Sequence, residues 1–209
     1  LKHGEIEAET GVVYQHNQDY ITENRNTARL FTLPLNARVG LFNRLDIFLG
    51  LPLSYGQSEA GTVTDNDFGI GDVDAGAHFI LLEEKKKFPE IVFSLSGTAP
   101  TGKNPYDNAI AFGQGHWAIS SNILFIKSVD PIVLFGGFGY THQFEKNFSI
   151  GDVQPGETIG YNLGLGFAVN KNITLNTTLL GSITTESKLN NVDVPGSSDE
   201  PISLSTGLT

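Results

Sequence analysis

The run Thr158-Ile-Gly-Tyr-Asn-Leu-Gly-Leu-Gly-Phe-Ala-Val-Asn170 decides the fold. Ile159, Tyr161, Leu163, Leu165, Phe167 and Val169 take every second position, and Gly160, Asn162, Gly164, Gly166, Ala168 and Asn170 lie between them. Successive side chains of a strand point to opposite faces, so this period of two makes one large apolar face and one small or polar face. The pattern recurs outward from there. Ile173, Leu175, Thr177 and Leu179 alternate with Thr174, Asn176 and Thr178, and Phe31, Leu33, Leu35, Ala37, Val39 and Leu41 with Thr32, Asn36, Arg38 and Gly40. Leu45 to Tyr55 and Ile91 to Ala99 repeat it. Period 3.6 loses in nearly every segment.

The alternation predicts ten strands, at 4–16, 28–42, 45–56, 68–83, 88–100, 116–128, 131–145, 158–170, 173–186 and 201–209. Several pass ten residues. Strands of soluble sheets have a mode of about 5–6 residues, whereas a slanted bilayer span takes about 9–11. The connections alternate in length. Asn43-Arg44, Glu84–Lys87, Val129-Asp130 and Lys171-Asn172 are short; 17–27, 57–67, 101–115, 146–157 and 187–200 are long and rich in Gly, Asn, Asp and Pro. Short turns at one end and long loops at the other are the rhythm of an outer-membrane barrel. The reading is therefore all-β: an antiparallel up-and-down transmembrane β-barrel forming a single domain over 1–209. A soluble β-sandwich, whose strands also alternate, is the rival.

Composition agrees. The chain has 209 residues with 24 Gly, 14 Phe and 6 Tyr, a mixture that disfavours helical bundles. Charged residues are 17%, below the roughly 25% of soluble domains, yet mean hydropathy is only −0.08. A greasy face averaged with a small polar one gives that number. The net charge of −10 argues against nucleic acid as a partner. The lack of cysteine removes disulfides and thiol chemistry. No run of 18 apolar residues predicts a membrane helix.

Inward parity collects Glu5, Glu7, Glu9, Arg38, Asp46, Asp72, Asp74 and His78 from the first four predicted strands, with Asn122, Asn162 and Asn176 further on. These are the candidate pore-lining residues, and an acidic lining predicts cation preference. Tyr14, Tyr55, Trp117, Tyr140, Phe144 and Tyr161 near strand ends fit interfacial girdles. Other motifs fail on context. Gly97-Thr-Ala-Pro-Thr-Gly-Lys103 begins like a phosphate loop, but Asn104 stands where the Mg²⁺-binding Ser or Thr would be, and no helical period follows. Gly69-Ile-Gly71-Asp72-Val-Asp74-Ala-Gly76 suggests a dinucleotide loop, but its third glycine is misplaced and the residues that follow alternate like a strand. The five histidines, His3, His16, His78, His116 and His142, show no metal-ligand spacing. No catalytic residues, metal or cofactor are expected, so the chain reads as a non-enzyme.

Two segments carry a family likeness. Gly69-Ile-Gly-Asp-Val-Asp-Ala-Gly76 followed by Leu95-Ser-Gly-Thr-Ala-Pro-Thr-Gly102 resembles the Gram-negative outer-membrane transporters named for a meta-pathway of phenol degradation. Gly115-His-Trp117, Asp130-Pro-Ile-Val-Leu-Phe-Gly-Gly137 and Val194-Pro-Gly-Ser-Ser198 look like that group too. The likeness covers roughly 68–209. The group includes the Fap secretion channel, a plugged trimeric twelve-stranded barrel that exports functional-amyloid subunits in biofilms. The resemblance implies outer-membrane transport and a possible homotrimer. It also implies twelve strands in the complete protein, with an N-terminal periplasmic segment and the closing C-terminal strands missing here. The expected function is a porin-like secretion channel for polypeptide such as amyloid subunits. The alternatives are uptake of small hydrophobic or aromatic compounds, with an apolar pocket near Phe48, Val133 and Phe135, or a blocked surface adhesin. Expected partners are outer-membrane lipid and lipopolysaccharide, and the secreted polypeptide or small hydrophobic solute.

Overall fold

The structure, a computed structural model, describes residues 1–21, 24–60, 63–170 and 173–208. Sixteen strands are assigned among them: β1 (Ile6–Thr10), β2 (Val13–Ile21), β3 (Asn24–Phe42), β4 (Leu45–Ala60), β5 (Val63–Ile70), β6 (Val73–Leu82), β7 (Glu90–Ala99), β8 (Ala118–Val129), β9 (Ile132–Gln143), β10 (Lys146–Phe148), β11 (Gly151–Gln154), β12 (Thr158–Asn170), β13 (Ile173–Thr184), β14 (Lys188–Leu189), β15 (Val192–Asp193) and β16 (Ile202–Leu208). The main sheet follows the order β1-β3-β4-β6-β7-β8-β9-β12-β13-β16, with β2 on β3 and β5 on β4. Along that order the strands follow one another in chain sequence, an up-and-down meander in which β1 and β2 share β3, β5 and β6 share β4, and the short strands β10, β11, β14 and β15 stand apart. Two compact units make up the chain. One is Leu1–Gly76 with Gly97–Trp117 and Lys146–Gly151; the other is Ala77–Ser96, Ala118–Glu145 and Asp152–Thr209.

In the first unit, Phe31↔Tyr55, Leu33↔Leu53, Leu35↔Leu51, Ala37↔Leu49 and Val39↔Ile47 share one face. Thr32↔Ser54, Pro34↔Pro52, Asn36↔Gly50, Arg38↔Phe48 and Gly40↔Asp46 share the other. The apolar face is the uncovered one: Phe31, Leu33, Ile47, Leu49 and Tyr55 are all exposed. Tyr14, Phe31, Tyr55 and Phe68 stand opposite one another across four strands as an aromatic row on that face. The Tyr14 and Phe31 rings lie 4.6 Å apart. Just beyond the row the face turns polar, with Arg29 bonded to Glu59 at 2.7 Å and to Gln57 at 3.0 Å.

The second unit repeats the arrangement. In β12 the large residues Ile159, Leu163 and Val169 are exposed, while Gly164 and Gly166 are buried. Pairing carries Leu163↔Leu179 and Tyr161↔Phe138 along the apolar face and Gly164↔Thr178 and Asn162↔Gly137 along the other. The Tyr161 ring covers Gly181, and the Phe135 ring covers Gly164. A ring laid over a directly opposed glycine shields backbone that would otherwise stay bare.

The ten predicted strands are present, with four corrections. The predicted strand 4–16 is two, β1 and β2. Both keep the same register on β3, so Gly11 falls opposite Pro34. Proline lacks the N–H the ladder needs there, and pairing lapses. Second, the predicted loops 17–27 and 57–67 are extensions of strand hairpins, paired out to Ile21↔Asn24 and Ala60↔Val63. Their polar alternation still satisfies backbone groups in a ladder beyond the apolar band. Third, the predicted strand 68–83 breaks at Gly71-Asp72. Gly71 faces Pro52, whose carbonyl accepts its N–H at 2.8 Å, and Pro52 offers no donor in return. Fourth, the predicted loops 146–157 and 187–200 carry short strands of their own, β10, β11, β14 and β15, with β11 on β14 and β14 on β15. The predicted turn Lys171-Asn172 lies outside the described residues.

Candidate functional site

The face away from the exposed apolar side chains is where polar chemistry gathers. In the first unit Glu7 stands opposite Arg38 and Glu9 opposite Asn36 on that face. Arg38 donates from Nη2 and Nε to Glu7 Oε2 at 2.5 and 3.1 Å. Glu5 accepts from the Lys2 backbone N–H at 2.8 Å. Asp46 is buried, and Asp74 accepts from the Thr98 hydroxyl at 3.0 Å. The register thus sets Glu5, Glu7, Glu9, Arg38, Asp46 and Asp74 on one side of the sheet, acids outnumbering the single Arg.

Asp72 has a different part. Phe68 and Ile70 of β5 lie on the apolar face opposite Tyr55 and Leu53, while in β6 the same even parity points Asp74 the other way, toward Thr98. One extra residue at Gly71-Asp72 makes the slip, as a bulge does. It turns the Asp72 carboxylate onto the connection between β7 and β8. Its Oδ1 accepts from Gly102 N–H at 2.9 Å and its Oδ2 from Gln114 N–H at 2.6 Å. The Thr101 hydroxyl donates to the Gly71 carbonyl at 2.7 Å and accepts from Val73 N–H at 3.0 Å. It supplies the two ladder bonds that the break leaves unmade.

That connection, residues 100–117, turns back over the small-residue face. Phe112 and Gly113 both donate to the Lys103 carbonyl, at 2.9 and 3.0 Å. Lys103 pairs with Asp67. Ile110 and Phe112 sit over Gly56, and Phe112 over Gly69, where a Cβ would meet Ile110 Cγ2 at 2.5 Å and Phe112 Cδ2 at 2.9 Å respectively. Between the loop and the sheet lies a cavity of about 200 Å³ bordered by Gln15, Asn17, Leu30 and Ser58. The loop's far side is fixed by aromatic packing. His116 is buried against Phe148 and Tyr106, with ring centroids at 5.0 and 5.7 Å. Burial pushes the Tyr106 hydroxyl above its ordinary pKa. Hydrogen bonding from Ser149, chief among several partners, holds Asp107 below its own.

In the second unit the corresponding face carries no charged residue on β8, β9, β12, β13 or β16 among the described positions. His78 bonds Ser94 Oγ at 2.7 Å. Asn122, Asn162 and Asn176 each lie directly opposite a glycine: Gly139, Gly137 and Gly166. Asn36 does the same with Gly50 in the first unit. An amide opposite a residue with no side chain can lie flat along the sheet. Leu124, Ile126, Val133 and Phe135 make an apolar stretch on this face. Phe48, the third residue expected near an apolar pocket, is on the small-residue face of the first unit, opposite Arg38.

The aromatic candidates Tyr14, Tyr55, Trp117, Tyr140 and Tyr161 are all exposed, as is Phe144. Beyond the strand ends of the second unit two carboxylates are tied down. Glu157 accepts from the Tyr140 hydroxyl at 2.6 Å and pairs with His142 at 2.8 Å, which lowers its pKa. Glu84, in the turn after β6, accepts from Lys127 Nζ at 2.7 Å and Ser128 N–H at 2.9 Å, and Lys127 leads the effects that lower its pKa.

Thr101, Gly102, Ile110, Phe112 and Gln114 belong to the site although alternation marks none of them. One signal was present: apolar residues fall on even numbers through Ile70 and on odd numbers at Val73, Phe79 and Leu81. That switch marks the bulge.

A family model described as "Putative MetA-pathway of phenol degradation" matches residues 4–209. Among solved structures, the chain is similar to the crystal structure of the COG4313 outer membrane channel from Pseudomonas putida F1. The TM-score is 0.75 and the identity 16%, over 99% of this chain and 82% of that one. At that identity the likeness establishes the fold, an antiparallel β-structure of the outer-membrane-channel type.

Proposed function

Since this chain belongs to the MetA-pathway of phenol degradation family, we propose that it is a β-barrel channel of the bacterial outer membrane. The inverted order of its strands carries the reading. Side chains that a water-soluble sheet would bury are the uncovered ones, and Gly, Asn, Ser and Thr fill the other face. In lipid that order is the stable one, because the backbone is paired within the sheet and the apolar face meets hydrocarbon. Dimensions agree. From Phe31 to Phe42 is eleven steps, roughly 36 Å along the strand. At a tilt of about 45° this is roughly 26 Å, against an apolar band of about 25 Å in such barrels. The aromatic row and the Arg29–Glu59 pair end the band where headgroups and lipopolysaccharide begin.

The small-residue face then lines the lumen, and residues 100–117 narrow it. Conduction is passive, with the acids of the first unit favouring cations. Leu124, Ile126, Val133 and Phe135 favour a small solute with an apolar part, taken inward. A second reading is export of extended polypeptide, such as a secreted amyloid-type subunit. The uncharged Gly, Asn, Ser and Thr of β12, β13 and β16 support it, since they would hold no segment tightly. For a polypeptide to pass, the loop must leave the lumen. The test is reconstitution in planar bilayers. Steady single-channel currents that small aromatic solutes block from one side support uptake. Export predicts instead that a deletion strain loses extracellular fibres. A barrel with no conductance in any variant would sink both and leave the adhesin.

A further inference from the structure

We propose that Asp72 is the latch that holds the 100–117 loop on the small-residue face, and that releasing it widens the pore. The consequence for conduction rests on the channel reading; the latch itself rests on geometry. A single carboxylate joins the two ends of the loop, taking Gly102 N–H on one oxygen and Gln114 N–H on the other. Hydrogen bonds to a charged group contribute more than neutral ones. The surroundings leave no slack. A Cβ on Gly113 would overlap the Asp72 carboxylate, with Cγ at 2.5 Å. One on Gly102 would come within 2.9 Å of Gly113 N, and one on Gly71 within 2.8 Å of the Phe112 carbonyl oxygen. Only glycine at these three positions lets the strand break, Pro100-Thr101-Gly102 and the returning loop close on one another. The two motifs that carry the family likeness are therefore two halves of one device. The Gly-Asp segment provides a carboxylate freed from the ladder by Pro52, and the Pro-Thr-Gly segment provides one of its two donors, Gly102 N–H, while Gln114 N–H of the returning loop is the other. Downstream, Ile110 and Phe112 are held over Gly56 and Gly69. Asp72 is a positioning residue that touches no solute.

The test uses the full chain folded in lipid, with retained folded mobility on a gel as the control for barrel integrity. Trypsin cleavage after Lys103, read by mass spectrometry as a fragment beginning at Asn104, reports loop release without reference to conduction. Asp72→Ala should speed that cleavage about tenfold or more, since two charge-assisted bonds close the loop, and should raise single-channel conductance. Asp72→Asn, which keeps one acceptor oxygen, should fall between. Because the chain has no cysteine, a Gly56→Cys/Ile110→Cys pair can pin the loop to the sheet. Added to Asp72→Ala and oxidised, it should restore wild-type cleavage and conductance, and reduction should undo both. Cleavage at the wild-type rate in folded Asp72→Ala overturns the latch. So does faster cleavage with unchanged conductance in a conducting protein, or failure of the disulfide to restore either. Faster cleavage that the disulfide reverses, in a protein that never conducts, upholds the latch and removes the channel reading.

Discussion

Leu163 offers the sharpest test of which face meets hydrocarbon. It lies midway along the apolar run from Ile159 to Val169, 65% exposed, with Leu179 and Gly136 as its cross-strand neighbours. Leu→Ala removes three carbons, about 0.8 kcal/mol each when fully withdrawn from water. If lipid covers the two-thirds that the protein leaves bare, Leu163→Ala should lose roughly 1.5 kcal/mol from lipid alone. The same change on a water-facing surface stays within about ±0.5 kcal/mol. Leu163→Arg should cost about 2–4 kcal/mol near the midplane, and Ile159→Arg, close to the band's edge, about 0–1 kcal/mol. The assay is reversible urea unfolding from phosphatidylcholine vesicles, followed by tryptophan fluorescence of Trp117 and gel mobility. A flat depth profile, with Leu163→Arg costing no more than Ile159→Arg, would refute the assignment of this face to lipid. So would a Leu163→Ala change indistinguishable from wild type.

Other outcomes follow from the same structure. Neutralising Glu7, Glu9, Asp46 and Asp74 to Gln or Asn should move the reversal potential in a salt gradient toward zero; an unchanged potential would show that these acids do not set selectivity. Gly181→Val intrudes on the Tyr161 ring, whose Cε2 lies 2.7 Å from an added Cβ, and should destabilise by about 1–3 kcal/mol in the same unfolding assay. Glu84 has a folded pKa below its ordinary value because of Lys127 and then Ser128. Its contribution is therefore complete above the ordinary glutamate pKa and is lost as pH falls through the lowered folded one. Glu84→Gln should unfold more readily than wild type at neutral pH, and the two should converge in acid. A gap that persists at low pH would contradict the pairing.

Much of this was readable in one dimension because a strand exposes its environment through alternation. Glu7 and Arg38 could be placed on one face by parity alone, and the register bears that out. Asp72 could not. Parity carried it with Asp74, but the bulge at Gly71-Asp72 changes what an even number means. The loop residues Ile110 and Phe112 have no periodicity, so nothing local says that they turn back over Gly56 and Gly69. The hairpin extensions beyond 57 and before 28 look like loops in the sequence because they are polar. Polarity there marks the end of the apolar band, and the backbone pairing continues past it.

The sequence by itself determined the fold class, the apolar face of the unbroken strands and the family, because those depend on residue periods and short motifs. Tertiary structure decided the rest: that Pro34 and Pro52 stand opposite each other and interrupt both flanking strands, that Thr101 mends one of those gaps, and that a single aspartate draws the ends of a long loop together. Each depends on which residues pair across strands far apart in the chain. Hydrogen bonding and steric fit at a distance, such as Gly113 leaving room for the Asp72 carboxylate, leave no local period for a sequence to display.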